Sequence, residues 1–330
     1  QTSFPEIEPN ESKAAATAAT CLAAGDSLTG TSTGIVTTAG ATSVDYFRVQ
    51  TCALPLGVYE HRLTLTTTNG AAIRGVEQTA TLGIGGTPNT IDADLQTNQA
   101  TPRFNVWYGF GKQEQLYYRV TGTAATTAQY TATLSTTPIT PTNLGTFAPG
   151  SITITSVGQG HTNDTDLWVY DSTFTAIPTF GNDDQIGGGT FQSRLVRTYS
   201  PGVYYLALTG FDLANEHGAA ADENYLLGFC TDFPNVLVHG EGGLTANTNI
   251  SFSISDSVST LPVVAAVNTA NNENQVLWYK FTVGTPAVFQ SFCSNGSLGA
   301  DHTTPCPCGN TGAAGNGCGH SFDPNGANMS

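Results

Sequence analysis

Positive charge is what this chain most lacks. Ten Lys plus Arg stand against 25 Asp plus Glu, a formal net charge of -15, and charged residues make up only 11% of the 330 positions. Soluble domains ordinarily carry about 25% charged residues. So few cations cannot build the basic face that nucleic acid requires, so no nucleic-acid partner is expected. The same acidity sets the chain against an anionic membrane surface. No apolar run approaches the ~20 residues of a membrane-spanning helix, so no membrane insertion is expected. Methionine is nearly missing, with Met329 alone. The chain opens at Gln1, which suits a mature secreted protein after loss of a signal peptide. Solubility must rest on Thr, Ser, Asn and the 37 Gly.

Helical periodicity is also scarce. Ala14 to Ala19 reads as one short helical turn. What is present instead is alternation, the signature of strands with one inward face. Phe47 and Val49 point one way, as do Leu63 and Leu65, then Tyr130, Ala132 and Leu134. Further on, Ile152 and Ile154 alternate with Thr, Leu167 and Val169 with Trp168 and Tyr170, Ile250, Phe252 and Ile254 with Ser. Phe104 to Tyr108 and Leu116 to Val120 read as aromatic strands closed into a hairpin at Gln113 to Gln115. Leu261 to Val267 is almost unbroken apolar, so both its faces should be covered. Between Asp164 and Leu208 two strands flank a loop rich in carboxylates and Gly. Thr137-Pro138-Ile139-Thr140-Pro141 reads as a stiff linker. The expected fold class is all-β: two antiparallel, jelly-roll-like β-sandwich domains in tandem at 1–140 and 141–290, then an irregular Cys/Gly/Asn-rich tail at 291–330.

Seven Cys, four of them within 293–318, point to an oxidising, extracellular or cell-surface location. Cys21 and Cys52 flank the first strand region and are expected to form a disulfide. Cys306-Pro307-Cys308 does not easily pair with itself, so each should reach Cys293 or Cys318. The expected pairing is 293–306 and 308–318, with Cys230 left over. His302 and His320 nearby make zinc the rival, though the spacing is not that of a standard finger.

Chemistry-bearing motifs are few. Gly30-Thr31-Ser32-Thr33-Gly34 has the letters of a nucleophile elbow, but it sits in a Thr/Gly loop without the helix an elbow requires. Asp164, Asp166, Asn182, Asp183 and Asp184 offer five hard oxygen donors on a strand end and a Gly-rich loop, a set suited to Ca²⁺. Turn capping by Asp and Asn is the plainer account, with Arg194 and Arg197 as neutralising partners. Glu6, Glu8 and Asn10 alternate along an extended lead-in and can converge with Asp45 on a second Ca²⁺. Asn10, Asn163, Asn249, Asn295 and Asn328 each open a glycosylation triplet.

The series Glu6-Ile7-Glu8-Pro9-Asn10, an Ala-rich turn, Asp26-Ser27-Leu28-Thr29-Gly30 and Val44-Asp45-Tyr46-Phe47 resembles the opening of bacterial pre-peptidase C-terminal domains. The DTDLWVYD, NDD and SPGVYYLAL segments of the second half resemble the later part of the same family. Residues 53–115 depart from it. The tail FCSNGSLGADHTTPCPCGNTGAAGNGC resembles segments of secreted planctomycete proteins. The first resemblance implies a small jelly-roll-like sandwich appended to secreted proteins, calcium held by Glu6, Glu8, Asn10 and Asp45, and in some members binding of collagen or polysaccharide. Glu11 stands where the family commonly has Asp or Asn.

Two functions are expected in competition. One is a secreted, non-catalytic structural subunit of a layer or fibre, self-associating through edge strands, the acidic arm, Leu261 to Val267 or the tail. The other is a calcium-dependent module that tethers a secreted hydrolase to a polysaccharide or protein polymer. Trp107, Tyr108, Trp168, Tyr170 and Trp278 would stack on sugar in that case; core packing is their plainer role.

Overall fold

The computed structural model describes residues 1–31, 44–67, 103–122, 127–187, 189–210, 213–218, 228–239, 249–258 and 275–284, with shorter pieces at 71–78, 80–82, 88–89, 93–95, 220, 222, 261 and 264–267. The chain is all-β. Lys13–Ala15, a single 3-10 turn, is the only helical piece among the described residues. The Ala-rich turn therefore ends early. Thr17–Leu22 is a strand running parallel to Val44–Thr51, and Ala19 lies in the core. Tertiary pairing overrides the helix preference of alanine there.

Two large sheets build the first sandwich, which is not confined to the expected 1–140, because two strands from beyond residue 212 complete one of them. The seven-stranded sheet runs, edge to edge, through Ser3–Pro5, Ser27–Thr31, Gln129–Ile139, Val58–Thr67, Arg103–Gly109, Leu237–His239 and Leu213–Ala214. A five-stranded sheet orders Thr17–Leu22, Val44–Thr51, Gln115–Gly122, Ala71–Gln78 and Ala93–Leu95. One core cluster draws on both: Phe47, Val49, Tyr118 and Val120 from the smaller, Leu63, Leu65, Trp107, Ala132 and Leu134 from the larger. Alternation along each strand places these side chains. The second half repeats the scheme. A five-stranded sheet orders Thr142–Phe147, Leu277–Val283, Gly202–Thr209, Asp166–Tyr170 and Ala176–Asn182, and a four-stranded sheet Arg194–Tyr199, Gly150–Thr155, Asn249–Ser255 and Val264–Val267. Ile152, Ile154, Leu167, Val169, Leu206, Leu208, Phe252 and Phe281 form their common core. A small three-stranded sheet joins Gly228–Cys230, Ala80–Leu82 and Pro88–Asn89.

A third cluster joins the halves. Val58, Val106, Tyr108 and Leu237 of the seven-stranded sheet meet Trp168, Tyr170, Ala207 and Trp278 of the second half. Both sheets are thus buried on both faces, which explains why their strands carry bulky residues at odd and even positions alike. The five aromatics considered for sugar stacking lie here or in the first core, each at most 5% exposed. They are packing residues, and stacking on a polymer through them is ruled out.

Other expectations are corrected. The sheets are mixed, with parallel pairs at Ser3–Pro5 with Ser27–Thr31, Thr17–Leu22 with Val44–Thr51, and Thr142–Phe147 with Leu277–Val283. In each, a segment adds to a sheet edge in the direction of its neighbour. Arg103–Gly109 and Gln115–Gly122 are not a hairpin, because they belong to different sheets. The crossing at 110–114 is held by buried Glu114, whose Oε1 accepts the N–H groups of Phe110 at 2.5 Å and Lys112 at 2.8 Å. The loop between Tyr170 and Val203 contains two strands, Ala176–Asn182 and Arg194–Tyr199. The expected linker is partly strand, since Gln129–Ile139 runs through Pro138 beside Tyr59. Leu261 to Val267 contributes the edge strand Val264–Val267.

Candidate metal centres

The acidic lead-in is ordered against two strands. Ser3–Pro5 pairs with Ser27–Thr31, and the Glu6 N–H continues the contact to the Thr29 carbonyl at 2.8 Å. Glu6 Oε1 then accepts from the Thr31 N–H at 2.8 Å and the Thr31 hydroxyl at 3.2 Å. Asp45 stands on the strand Val44–Thr51, and its Oδ2 accepts from the Tyr130 hydroxyl at 2.7 Å. One carboxylate oxygen each from Glu6, Glu8 and Asp45 lie within 4.8 Å of one another. Asn10 is pinned beside them: its carbonyl accepts the N–H of Tyr46, next to Asp45, at 2.9 Å. Its side chain is wholly buried, and neither Oδ1 nor Nδ2 meets a hydrogen-bond partner. A buried amide oxygen without a donor beside three carboxylates fits a hard cation, which takes six to eight oxygens as Ca²⁺. Of the four residues of the expected first site, Glu6, Glu8 and Asp45 come together, and the Asn10 backbone is held next to Asp45.

The electrostatics agree with that fit. Burial, followed by the charges of Glu11 and Glu6, holds Glu8 above the ordinary carboxylate value. Glu11 thus faces the cluster as well. Burial and the Asp45 carboxylate push the Tyr130 phenol far up, so it stays a proton donor to Asp45. Gly30 makes the approach possible: a Cβ there would overlap both the Glu6 carboxylate and the Tyr130 hydroxyl. Gly30 and Thr31, two letters of the apparent elbow, are strand residues that frame this cluster; Ser32 to Gly34 lie outside the described residues. Tyr130, Gly30 and Thr31 are the parts sequence reasoning missed. A tyrosine at an inward position needs a partner for its hydroxyl, which was the available signal.

The second cluster is smaller than expected. Oxygens of Asp164, Asp183 and Asp184 lie within 4.8 Å of one another. Burial and the Asp184 charge push Asp164 up to about 6, and burial raises Asp184. Asp166 and Asn182 are engaged elsewhere. Asp166 Oδ2 accepts the Leu213 N–H at 2.6 Å, and Asn182 Oδ1 accepts the Arg194 N–H at 2.6 Å. These are the backbone-capping roles that Asp and Asn often fill. Arg197 does not neutralise the cluster; its guanidinium grips Asp222 through two bonds of 2.6 and 2.7 Å.

The disulfide Cys21–Cys52 is present. The parallel ladder shifts register between Ala19 and Leu22, a bulge that contains Cys21. Cys230 is a free, buried thiol, raised to about 11 by burial and Glu216. Cys293, Cys306, Cys308 and Cys318, with His302 and His320, lie outside the described residues. The Asn10 glycosylation triplet is excluded in the folded chain by complete burial of Asn10. No helix among the described residues is long and apolar enough to cross a membrane. No protein-family model and no curated protein matches the chain.

Proposed function

We propose that this chain is a secreted, non-catalytic structural protein: two β-sandwiches, the first taking in Leu213–Ala214 and Leu237–His239 as well as the strands before residue 140, fused through a common aromatic core and locked by calcium at the lead-in. The observation that carries the proposal is the convergence of Glu6, Glu8 and Asp45, with the buried, unpartnered amide of Asn10 on the segment bonded next to Asp45. Calcium there ties residues 6–10 to the strand Val44–Thr51 and so stiffens the N-terminal arm. The rest of the body supports a holding role. His161 is tied to backbone on both ring nitrogens: Nδ1 accepts the Asn163 N–H at 3.2 Å, and Nε2 donates to the Ser251 carbonyl at 2.8 Å. His217 bonds the Ala176 carbonyl and stacks on Trp168. Self-assembly into a surface layer or fibre uses sheet edges such as Val264–Val267.

Calorimetry on chelator-treated protein tests the metal reading. Saturable Ca²⁺ binding that disappears in the double variant Glu8→Gln, Asp45→Asn is expected; absence of binding heat and of any thermal shift refutes it. Sedimentation tests the subunit reading: larger species in Ca²⁺ and monomer in chelator are expected. A monomer at high concentration in Ca²⁺ removes that reading.

A second reading has its own support. Ile7, 69% exposed, sits between Glu6 and Glu8, while Ile186 and Phe191, 50% and 66% exposed, flank the Asp183–Asp184 turn. Large apolar side chains beside both clusters suit a calcium-dependent module that grips a protein or polysaccharide polymer for a secreted hydrolase.

A further inference from the structure

Two side chains from distant parts of the chain meet where the halves join. Lys112 follows the strand Arg103–Gly109, and Asn235 precedes its antiparallel neighbour Leu237–His239. Tyr108 pairs with Leu237, so the chain leaves this strand pair at 112 and enters it at 235 from the same end. Lys112 Nζ donates to Asn235 Oδ1 at 2.9 Å. Its other partners are the Phe174 carbonyl at 3.1 Å and the Thr175 hydroxyl at 3.2 Å. None of the three is a carboxylate, although a cation drawn out of water ordinarily takes one.

The surroundings favour the uncharged amine. Phe110, whose ring centroid lies 5.9 Å from Nζ, stacks on Phe174 at 5.5 Å, and both rings are buried. Burial lowers Lys112 below the ordinary lysine value, against the opposing charges of Asp171, Glu216 and Glu114, which enlarges the share of neutral amine. Glu114 is engaged through both oxygens, one taking the Phe110 and Lys112 N–H groups and the other the Thr51 hydroxyl. Asp171 Oδ1 caps its own turn at Thr173 and Thr175. Glu216 keeps a buried oxygen, Oε2, without a hydrogen-bond partner. Asn235 Cγ is one carbonyl bond from Oδ1, so Nζ stands at most about 4.1 Å from it. Reacting atoms poised for attack lie about 3–3.5 Å apart. An amine held against a carboxamide, among apolar rings and within the field of a carboxylate with an uncommitted oxygen, has what amide exchange needs.

We infer that Lys112 and Asn235 form an intramolecular isopeptide bond. The lone pair of neutral Nζ adds to Asn235 Cγ, and the bond from Cγ to Nδ2 breaks. One Nζ proton passes through the Glu216 carboxylate to Nδ2, which leaves as ammonia. The products are a secondary amide between Nζ and Cγ and one free ammonia; nothing is oxidised or reduced. The bond closes the end of the strand pair across 123 residues of sequence. It uses neither carboxylate cluster, so it stands or falls without the calcium reading.

Mass spectrometry of the denatured, reduced and trypsin-digested chain tests this. A branched peptide joining the segments of Lys112 and Asn235 is expected, uncut after Lys112 and lighter than its two parts by one ammonia. Reading the linked peptide excludes cyclisation of Gln1, which also sheds ammonia. Lys112→Arg and Asn235→Ala should abolish the branch. Asn235→Asp should restore it with loss of one water in place of ammonia, which a mere hydrogen bond does not do. Glu216→Gln, with folding checked by circular dichroism, should leave the two peptides separate. Separate, unmodified peptides from the folded wild-type chain overturn the inference, and that readout requires no variant to fold. A branch that persists in Lys112→Arg overturns it too, and full linkage in Glu216→Gln overturns the proton route through Glu216.

Discussion

The two carboxylate clusters share a donor type and differ in how the chain reaches them. The first gathers Glu6, Glu8 and Asp45 from a sheet-edge lead-in and a strand of another sheet, with Tyr130 and Thr31 as hydrogen-bond donors. The second joins Asp164, just before one strand, to Asp183 and Asp184, just after its antiparallel neighbour. The first is therefore a cross-link between layers, and the second ornaments one end of a strand pair. A cation at the first stabilises the fold globally, because unfolding must separate residues far apart in sequence. A cation at the second orders a turn. The lesson is that equal counts of acidic oxygens carry unequal structural weight, set by whether the site ties two sheets together or two neighbouring strands of one.

The sharpest way to break this comparison is at glycine. Gly30→Ala places a methyl where the Glu6 carboxylate and the Tyr130 hydroxyl lie. Overpacking of this kind costs about 1–3 kcal/mol, and the calcium response should vanish with it. Gly187 makes the control. Its φ is +70° and nothing lies within 4 Å of an added Cβ. Gly187→Ala should cost only about 1 kcal/mol, for the left-handed backbone. Denaturant unfolding with and without Ca²⁺ distinguishes the two. In the unsubstituted chain, Ca²⁺ at about a hundredfold its Kd should add roughly 2.7 kcal/mol; equal calcium responses in the two glycine variants would erase the distinction between the clusters.

Much of the fold was legible because alternation reports which side chains share a face. Leu63 with Leu65, Ile152 with Ile154, and Phe252 with Ile254 all lie in the cores that pattern implies. The joining core was not legible. Trp168 and Tyr170 are apolar neighbours of apolar Leu167 and Val169, and a strand with two apolar faces does not say what covers the second. The 110–114 crossing escaped because Glu114 acts through its side chain on backbone N–H groups, which no periodicity records. At the first cluster, Glu6, Glu8, Asn10 and Asp45 could be named because an extended lead-in projects alternate residues to one side. Tyr130 and Gly30 could not, because their contribution depends on the register of Gln129–Ile139 against Ser27–Thr31, where Tyr130 faces Gly30.

The smallest effect, and the one with the opposite sign, belongs to the second cluster. Asp164 is held at about 6 by burial and by Asp184. Its folded value lies above the unfolded one, so its charge opposes folding above pH about 6, and that penalty is relieved as pH falls through 6 toward the unfolded value near 4. Asp164 is partly open to solvent, so screening cuts the nominal penalty to roughly 1 kcal/mol. Asp164→Asn should therefore stabilise the calcium-free protein by about 1 kcal/mol at pH 7.5 and by nothing measurable near pH 4. His61 titrates over the same window in the unfolded state, but it does so in both proteins, so the difference between them isolates Asp164. Added Ca²⁺ should reverse the order at pH 7.5, because the wild-type carboxylate then meets a cation and the amide offers a weaker donor. A variant less stable than wild type in chelator would mean that Asp164 holds the turn together unaided, and the second cluster would then be capping chemistry with no share in metal binding.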